Sequence, residues 1–170
     1  MNKKILMMRH AKSSWDDPSL RDHDRPLNSR GLRDAANMAK WLSDHNLRPA
    51  QIFCSTALRT RQTAEPLLKI FGLPEEFISW RDELYFSGDD AYLQAIHSAA
   101  GSSDLIFLIG HNPMTESVIN LLSSQPIRQP IKTATAALLN TNTKVWSEVG
   151  PGSCNLDAII TPQDFHKPNR

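Results

Sequence analysis

Cysteine is nearly absent from this chain: Cys54 and Cys154 are the only two among 170 residues, and they form no CxxC pair. Their scarcity excludes a disulfide framework and a cysteine-rich zinc site, and fits a reduced setting. Charge of one sign is also lacking, because 19 lysines and arginines face 18 aspartates and glutamates, for a net +1. A dedicated nucleic-acid or acidic-membrane surface is therefore disfavoured, and any phosphate binding has to be local. No apolar run approaches the ~18 residues of a membrane span. The short run after the first two lysines stops at Met8 without a small-residue cleavage site. His23, His45, His97 and His166 are scattered without ligand spacing, which argues against a metal site. Repeats and low-complexity tracts are missing as well. A soluble, unprocessed, cytoplasmic protein is the expectation.

What is present is a chain of 170 residues with 40% hydrophobic content, enough for one domain over 1–170 with its own core. Four short apolar runs, KILMM (4–8), QIFC (51–54), FISW (77–80) and LIFLI (105–109), read as buried strands. Between them lie helical periods. In 28–46, Leu32, Ala35, Ala36, Ala39 and Leu42 share one face behind Asn28 as N-cap. Ala64, Leu67, Leu68 and Phe71 repeat the spacing before a Gly72 stop, with Pro66 expected to kink or divide that helix. Residues 89–100 and 114–123 supply two more, the second with Pro113 suited to its first position.

Four alternations of strand and helix predict an α/β fold: three layers, α/β/α, with a mainly parallel central sheet. In the last third, ATAALLN and KVWSEV flank Thr141–Thr143 as a hairpin-like pair, and CNLDAII is a further strand, giving a mixed or antiparallel edge. Residues 161–170 are polar and read as a C-terminal extension.

Ligands of open α/β sheets bind beyond the carboxyl ends of the strands. The first strand here exits through Arg9 and His10, the second through Ser55 and then Arg59, and the fourth through Gly110-His111-Asn112-Pro113. Two arginines and two histidines would repel one another unless an anion sat between them. A phosphoryl group fits, because guanidinium forks match its oxygens and helix N-termini offer free N–H groups. The surrounding guanidinium charge would keep His10 neutral, with one nitrogen free to attack phosphorus. Arg9, Arg59 and His111 would then stabilise the transferring oxygens without a metal or other cofactor.

RHAKSSW, STALRTRQTA and GHNP, in that order, resemble the histidine phosphatase superfamily, which includes the phosphoglycerate mutases. The short chain, Ala11 after His10, and DRPLNSRG (24–31) look like its SixA-type phosphohistidine phosphatases. The resemblance implies that His10 becomes phosphorylated and that Arg9, Arg59 and His111 complete the phosphate pocket. It leaves the proton donor open. Glu83, after the third strand, is similar in position to the mutase glutamate and is the first candidate. Asp16 is the second and Asp24 the third, while Asn112 stands where the acid-phosphatase branch has Asp. The resemblance further implies a phosphohistidine-bearing protein as substrate, since 170 residues leave little for lid insertions. Small phosphomonoesters, or a non-catalytic phosphate-binding module, are the alternatives, and the presence of His10 argues against the module. Trp15, Trp41, Trp80 and Trp146 read as packing residues, with Trp15 near enough to the first motif to line the pocket mouth.

Overall fold

A computed structural model describes residues 2–166. Six strands form one sheet in the order β3-β2-β4-β1-β5-β6. β1 (Lys4–Arg9), β2 (Gln51–Ser55), β3 (Ile78–Arg81) and β4 (Leu105–Gly110) are parallel, and β5 (Ala136–Thr141) and β6 (Cys154–Ile160) continue the sheet through antiparallel pairings. The α/β reading, parallel centre and mixed edge included, holds.

Both faces of this sheet are covered, which is why its central strands read as unbroken apolar runs rather than alternating ones. Ile5 and Met7 of β1 pack into one core with Tyr92, Ile96, Val118 and Ile119. Leu6 and Met8 point into the other with Met38, Leu42, Ala64 and Leu67. Thus α1 (Ser29–Asp44) and α2 (Leu58–Phe71) cover one face, while α4 (Asp89–His97) and α5 (Met114–Leu122) cover the second; a single-turn α3 (Glu83–Phe86) follows β3.

Asn28 caps α1 by accepting from the Gly31 N–H at 2.8 Å, a contact worth about 1 kcal/mol. The buried face of α1 is rotated from the expected one: Gly31, Ala35, Met38, Ala39 and Leu42 point inward, whereas Leu32 and Ala36 are exposed. The cause lies in the loop after β1. The Lys12 carbonyl accepts from the Asn28 N–H at 2.9 Å and fills the space a Cβ on Gly31 would need, so the glycine has to face it. Gly72 closes α2 in the left-handed conformation, φ 61°, as its position implied. Pro66 lies within α2 without dividing it, and Pro113 sits one residue before α5.

The hairpin at the edge differs from expectation. KVWSEV is not a strand; Trp146–Glu148 forms a 3₁₀ turn, and β6 pairs with β5 instead. Trp146 is too apolar to line an edge strand and is buried among α4 and α5 side chains, its Nε1–H donating to the Ala100 carbonyl at 3.1 Å. The Lys3 ammonium lies 4.8 Å from the centroid of its ring and donates to the carbonyls of Gly101 and Ser103. Of the expected polar extension, Pro162–Asp164 forms a 3₁₀ turn and Phe165 packs on the α1/α2 side; 167–170 lie outside the described residues.

Candidate active site

Strand register decides which side chains meet. Arg9 pairs with Gly110 and Cys54 with Ile109, so β1, β4 and β2 end at one level and release His10, His111 and Ser55 side by side. β4 lies between β1 and β2, where the chain order of the sheet breaks, the place where such sheets bind ligands. Arg9, His10, Arg59 and His111 all line one cavity of about 250 Å³, together with Trp15, Arg25 and others.

His10 is held from below. Its backbone N–H donates to the Gly110 carbonyl at 3.0 Å, and its Nδ1 lies 2.7 Å from the Ala11 carbonyl. A carbonyl can only accept, so Nδ1 carries the proton and Nε2 keeps its lone pair. That lone pair faces the Nε–H of Arg59 at 3.4 Å, a long contact that a better electrophile can replace. Thr63 steadies the same segment by accepting from the Ala11 N–H at 3.0 Å.

His111 is fixed from the opposite side. Its N–H donates to the Tyr92 hydroxyl at 3.0 Å, and that hydroxyl donates to the Leu84 carbonyl at 2.9 Å. Tyr92 can come this close only because residue 110 is glycine; a Cβ there would run into the phenol. The Ser55 hydroxyl lies 2.7 Å from His111 Nε2 and accepts from the Ala57 N–H at 3.4 Å. The hydroxyl can donate to Nε2 or accept from it; where Ser55 donates, Nδ1 of His111 is left as an N–H donor. Two buried side-chain nitrogens of the cavity, His111 Nδ1 and Arg9 Nε, have no partner among the described residues. Buried polar groups are rarely left unmet, and with Nδ1 protonated these two on adjacent strand ends suit oxyanion oxygens.

Burial pushes His10 down to about 4, the Ala11 carbonyl opposing and the charges of Arg59, Arg9 and Arg25 adding to it. His111 is pushed down to about 3, again by burial first and then by His10 and Arg59. Both rings are neutral at pH 7. NMR titration of the two imidazoles is expected to show no protonation until pH approaches 4, against 6.5 for a free histidine. Between those values the unfolded chain binds protons that the folded one refuses, so stability falls as pH drops from about 6.5 to about 4. A urea midpoint unchanged across that range would show that these histidines are not held neutral.

The carboxylate that reaches the arginines is Asp22, which the sequence did not single out. One oxygen pairs with Arg25 Nη1 at 2.8 Å; the other accepts from Arg59 Nη2 at 3.0 Å and from the Tyr85 hydroxyl at 2.9 Å. Desolvation works against its charge, yet hydrogen bonds from Tyr85 and Arg59 hold it down at about 2. Asp22 is thus a fixed anion that aims Arg59, whose Nη1 also donates to the Asp22 carbonyl at 2.7 Å. Glu83 is exposed at the start of α3 and does not line the cavity; from that turn it is Tyr85 that comes near the site, its ring 5.4 Å from that of His111. Asp16 is exposed and Asp24 pairs with Arg21, and neither lines the cavity. Trp15 does line it, 72% exposed, with the Arg25 guanidinium 3.3 Å from the ring centroid.

Other sequence readings fall outside the site. Cys54 and Cys154 are buried and unpaired, and burial pushes both thiols up, away from thiolate chemistry. Among the described residues no group of three or more His, Cys, Asp or Glu side chains could hold a metal ion. No helix among them is long and apolar enough to cross a membrane.

Two histidines and two arginines thus gather around one cavity at the carboxyl ends of the parallel strands of a mixed α/β fold. The chain belongs to the histidine phosphatase superfamily (branch 1), whose family model matches residues 5–84. It is 36% identical to an uncharacterized chloroplastic protein of Arabidopsis thaliana, over 95% of this chain and 79% of that protein. Among solved structures it is similar to one provisionally assigned as phosphohistidine phosphatase SixA from Nakamurella multipartitia, with TM-score 0.81, 27% identity and coverage of 95% and 97%. A second, with the same provisional assignment, from Agrobacterium tumefaciens, has TM-score 0.80, 27% identity and coverage of 95% and 99%.

Proposed function

We propose that this protein is a single-domain cytoplasmic phosphatase that works through a phosphohistidine intermediate on His10, and that its substrate is phosphohistidine on a protein partner. The observation that carries the mechanism is the state of His10: Nδ1–H tied to the Ala11 carbonyl, Nε2 met only by the long contact to Arg59, and two buried nitrogens without a partner among the described residues in the cavity beside it.

The His10 Nε2 lone pair attacks phosphorus and forms an N–P bond, while the P–N bond to the substrate imidazole breaks. The substrate ring leaves neutral, having taken a proton from solvent on its other nitrogen, so this step makes no demand on Glu83, Asp16 or Asp24. Phosphorylated His10 carries positive charge spread over its ring, and the Ala11 carbonyl stabilises the Nδ1–H end of it. Arg9, Arg59 and the His111 Nδ1–H meet the equatorial oxygens, a role for which loss of one donor typically costs about 10²–10³-fold. Water then attacks phosphorus, the bonding pair returns to Nε2, and phosphate and a proton leave. No metal enters the scheme.

Similarity to the two structures assigned to SixA supports phosphohistidine as the substrate class. Trp15, exposed at the edge of the cavity, supports a partner that approaches from outside, since it offers an aromatic face to whatever carries the phosphoryl group. The test is turnover of a histidine-phosphorylated protein against a panel of small phosphomonoesters, all in the presence of a chelator. Preferential loss of phosphohistidine is expected. Rapid hydrolysis of a sugar phosphate with none of phosphohistidine would move the protein to metabolite chemistry.

A further inference from the structure

The phosphate cavity does not close behind Arg9. Arg9, Lys12 and Thr133 belong both to its wall and to that of an adjoining groove of about 600 Å³, which runs past Arg30 and Lys132 to the 3₁₀ turn at Pro162. This groove has four cations in its lining and no carboxylate. In a protein whose net charge is only +1, that is a concentrated patch.

Of the nearby acids, Asp34 pairs with the Nε of Arg30 at 3.5 Å and offsets part of that one charge, whereas Asp164 accepts from the N–H and hydroxyl of Thr161, and Glu116 accepts from the Ile131 N–H at 3.0 Å. Among the described residues the ammonium groups of Lys12 and Lys132 have no hydrogen bond or ion pair, and both side chains are exposed. The loop carrying Lys132 is nonetheless held in place: the Ile131 carbonyl accepts from Arg9 Nη1 at 3.2 Å and from Asn112 Nδ2 at 2.9 Å. The same arginine that lines the phosphate cavity therefore sets the position of the groove's wall.

We infer that this groove receives acidic side chains that flank the phosphohistidine on the protein substrate, an inference that rests on the protein-phosphohistidine reading above. Exposed lysines on a fixed loop act on a macromolecule by attraction at a distance, which speeds encounter and weakens with salt. A second phosphate of a small metabolite would call for several buried donors around it, and among the described residues Arg9 Nε, where the groove meets the first cavity, is the one unpartnered buried nitrogen in the groove's lining.

Three probes test this: a peptide whose phosphorylated histidine is flanked by glutamates, the same peptide with glutamines, and free phosphohistidine. The wild-type kcat/KM for the glutamate peptide is expected to exceed that for the glutamine peptide by about tenfold at low salt, with the gap closing as sodium chloride rises from about 0.05 to about 0.3 M. The double variant Arg30→Glu, Lys132→Glu loses that preference, and the neutral Lys132→Gln loses part of it. Turnover of free phosphohistidine by each variant shows that the cavity is intact. Equal turnover of the two peptides by the wild type overturns the groove and leaves the enzyme reading standing. Failure on all three probes, with a phosphomonoester hydrolysed, overturns both.

Discussion

Replacing His10 with alanine is expected to abolish turnover by at least about 10⁴-fold, the scale at which loss of a covalent nucleophile is felt. Among the described residues the cavity offers no substitute. His111 has its Nε2 committed to Ser55, and Cys54 is fully buried with its thiol pushed up. The chemistry also predicts what the wild type leaves behind. Brief exposure to substrate labelled in the phosphoryl group deposits acid-labile, alkali-stable label on the protein, and His10→Ala takes up none. Label retained on that variant would refute His10 as the nucleophile. The change removes a neutral ring whose side-chain contacts are the Ala11 carbonyl, the long contact to Arg59 and the His111 ring 5.2 Å away, and circular dichroism of the variant checks that the fold is kept.

The second large effect belongs to Arg59. Its guanidinium reaches His10 through Nε and Asp22 through both Nη atoms, so one planar group orients toward the nucleophile and is braced from behind. Arg59→Ala is expected to lower kcat by about 10²–10³-fold, and Arg59→Lys to recover little, since an ammonium cannot hold that fork and face the cavity at once. Arg59→Ala also removes one of the charges that hold His10 down, so the His10 titration moves upward toward that of a free histidine. Asp22→Asn separates bracing from direct contact. It keeps the shape but drops the fixed anion, and its loss of activity is expected to stay well below that of Arg59→Ala. Equal losses would place Asp22 in contact with the reacting group.

How far the sequence carried depends on the range of each interaction. β1, β2 and β4 were legible because burial on both faces leaves a largely apolar run, a property of consecutive residues. Arg9, His10, Arg59 and His111 were legible because each follows closely on a strand end, and register does the rest. Asp22 was not, because its significance comes from Arg59 and Tyr85, respectively 37 and 63 residues away. In the sequence it is one acid of Asp-His-Asp. Tyr92 was hidden for the same reason, since only its approach to Gly110 brings its hydroxyl to the His111 backbone. The face of α1 was misjudged by one position because the helical period is blind to a carbonyl pressing on Gly31. Trp146, with an apolar body and one donor to satisfy, settled in the core where a strand had been expected.

The tether on His10 has a consequence for genetics. Where a catalytic imidazole is oriented by a neighbouring carboxylate, changing that one side chain exposes the dependence. Here the orienting atom is the peptide oxygen of the next residue, which every amino acid supplies. A complete scan of side-chain replacements would pass over it, scoring Ala11 only for the room its side chain takes up. Only surgery on the main chain, an ester in place of the peptide link between Ala11 and Lys12, would weaken that oxygen as an acceptor and bring the contribution into view.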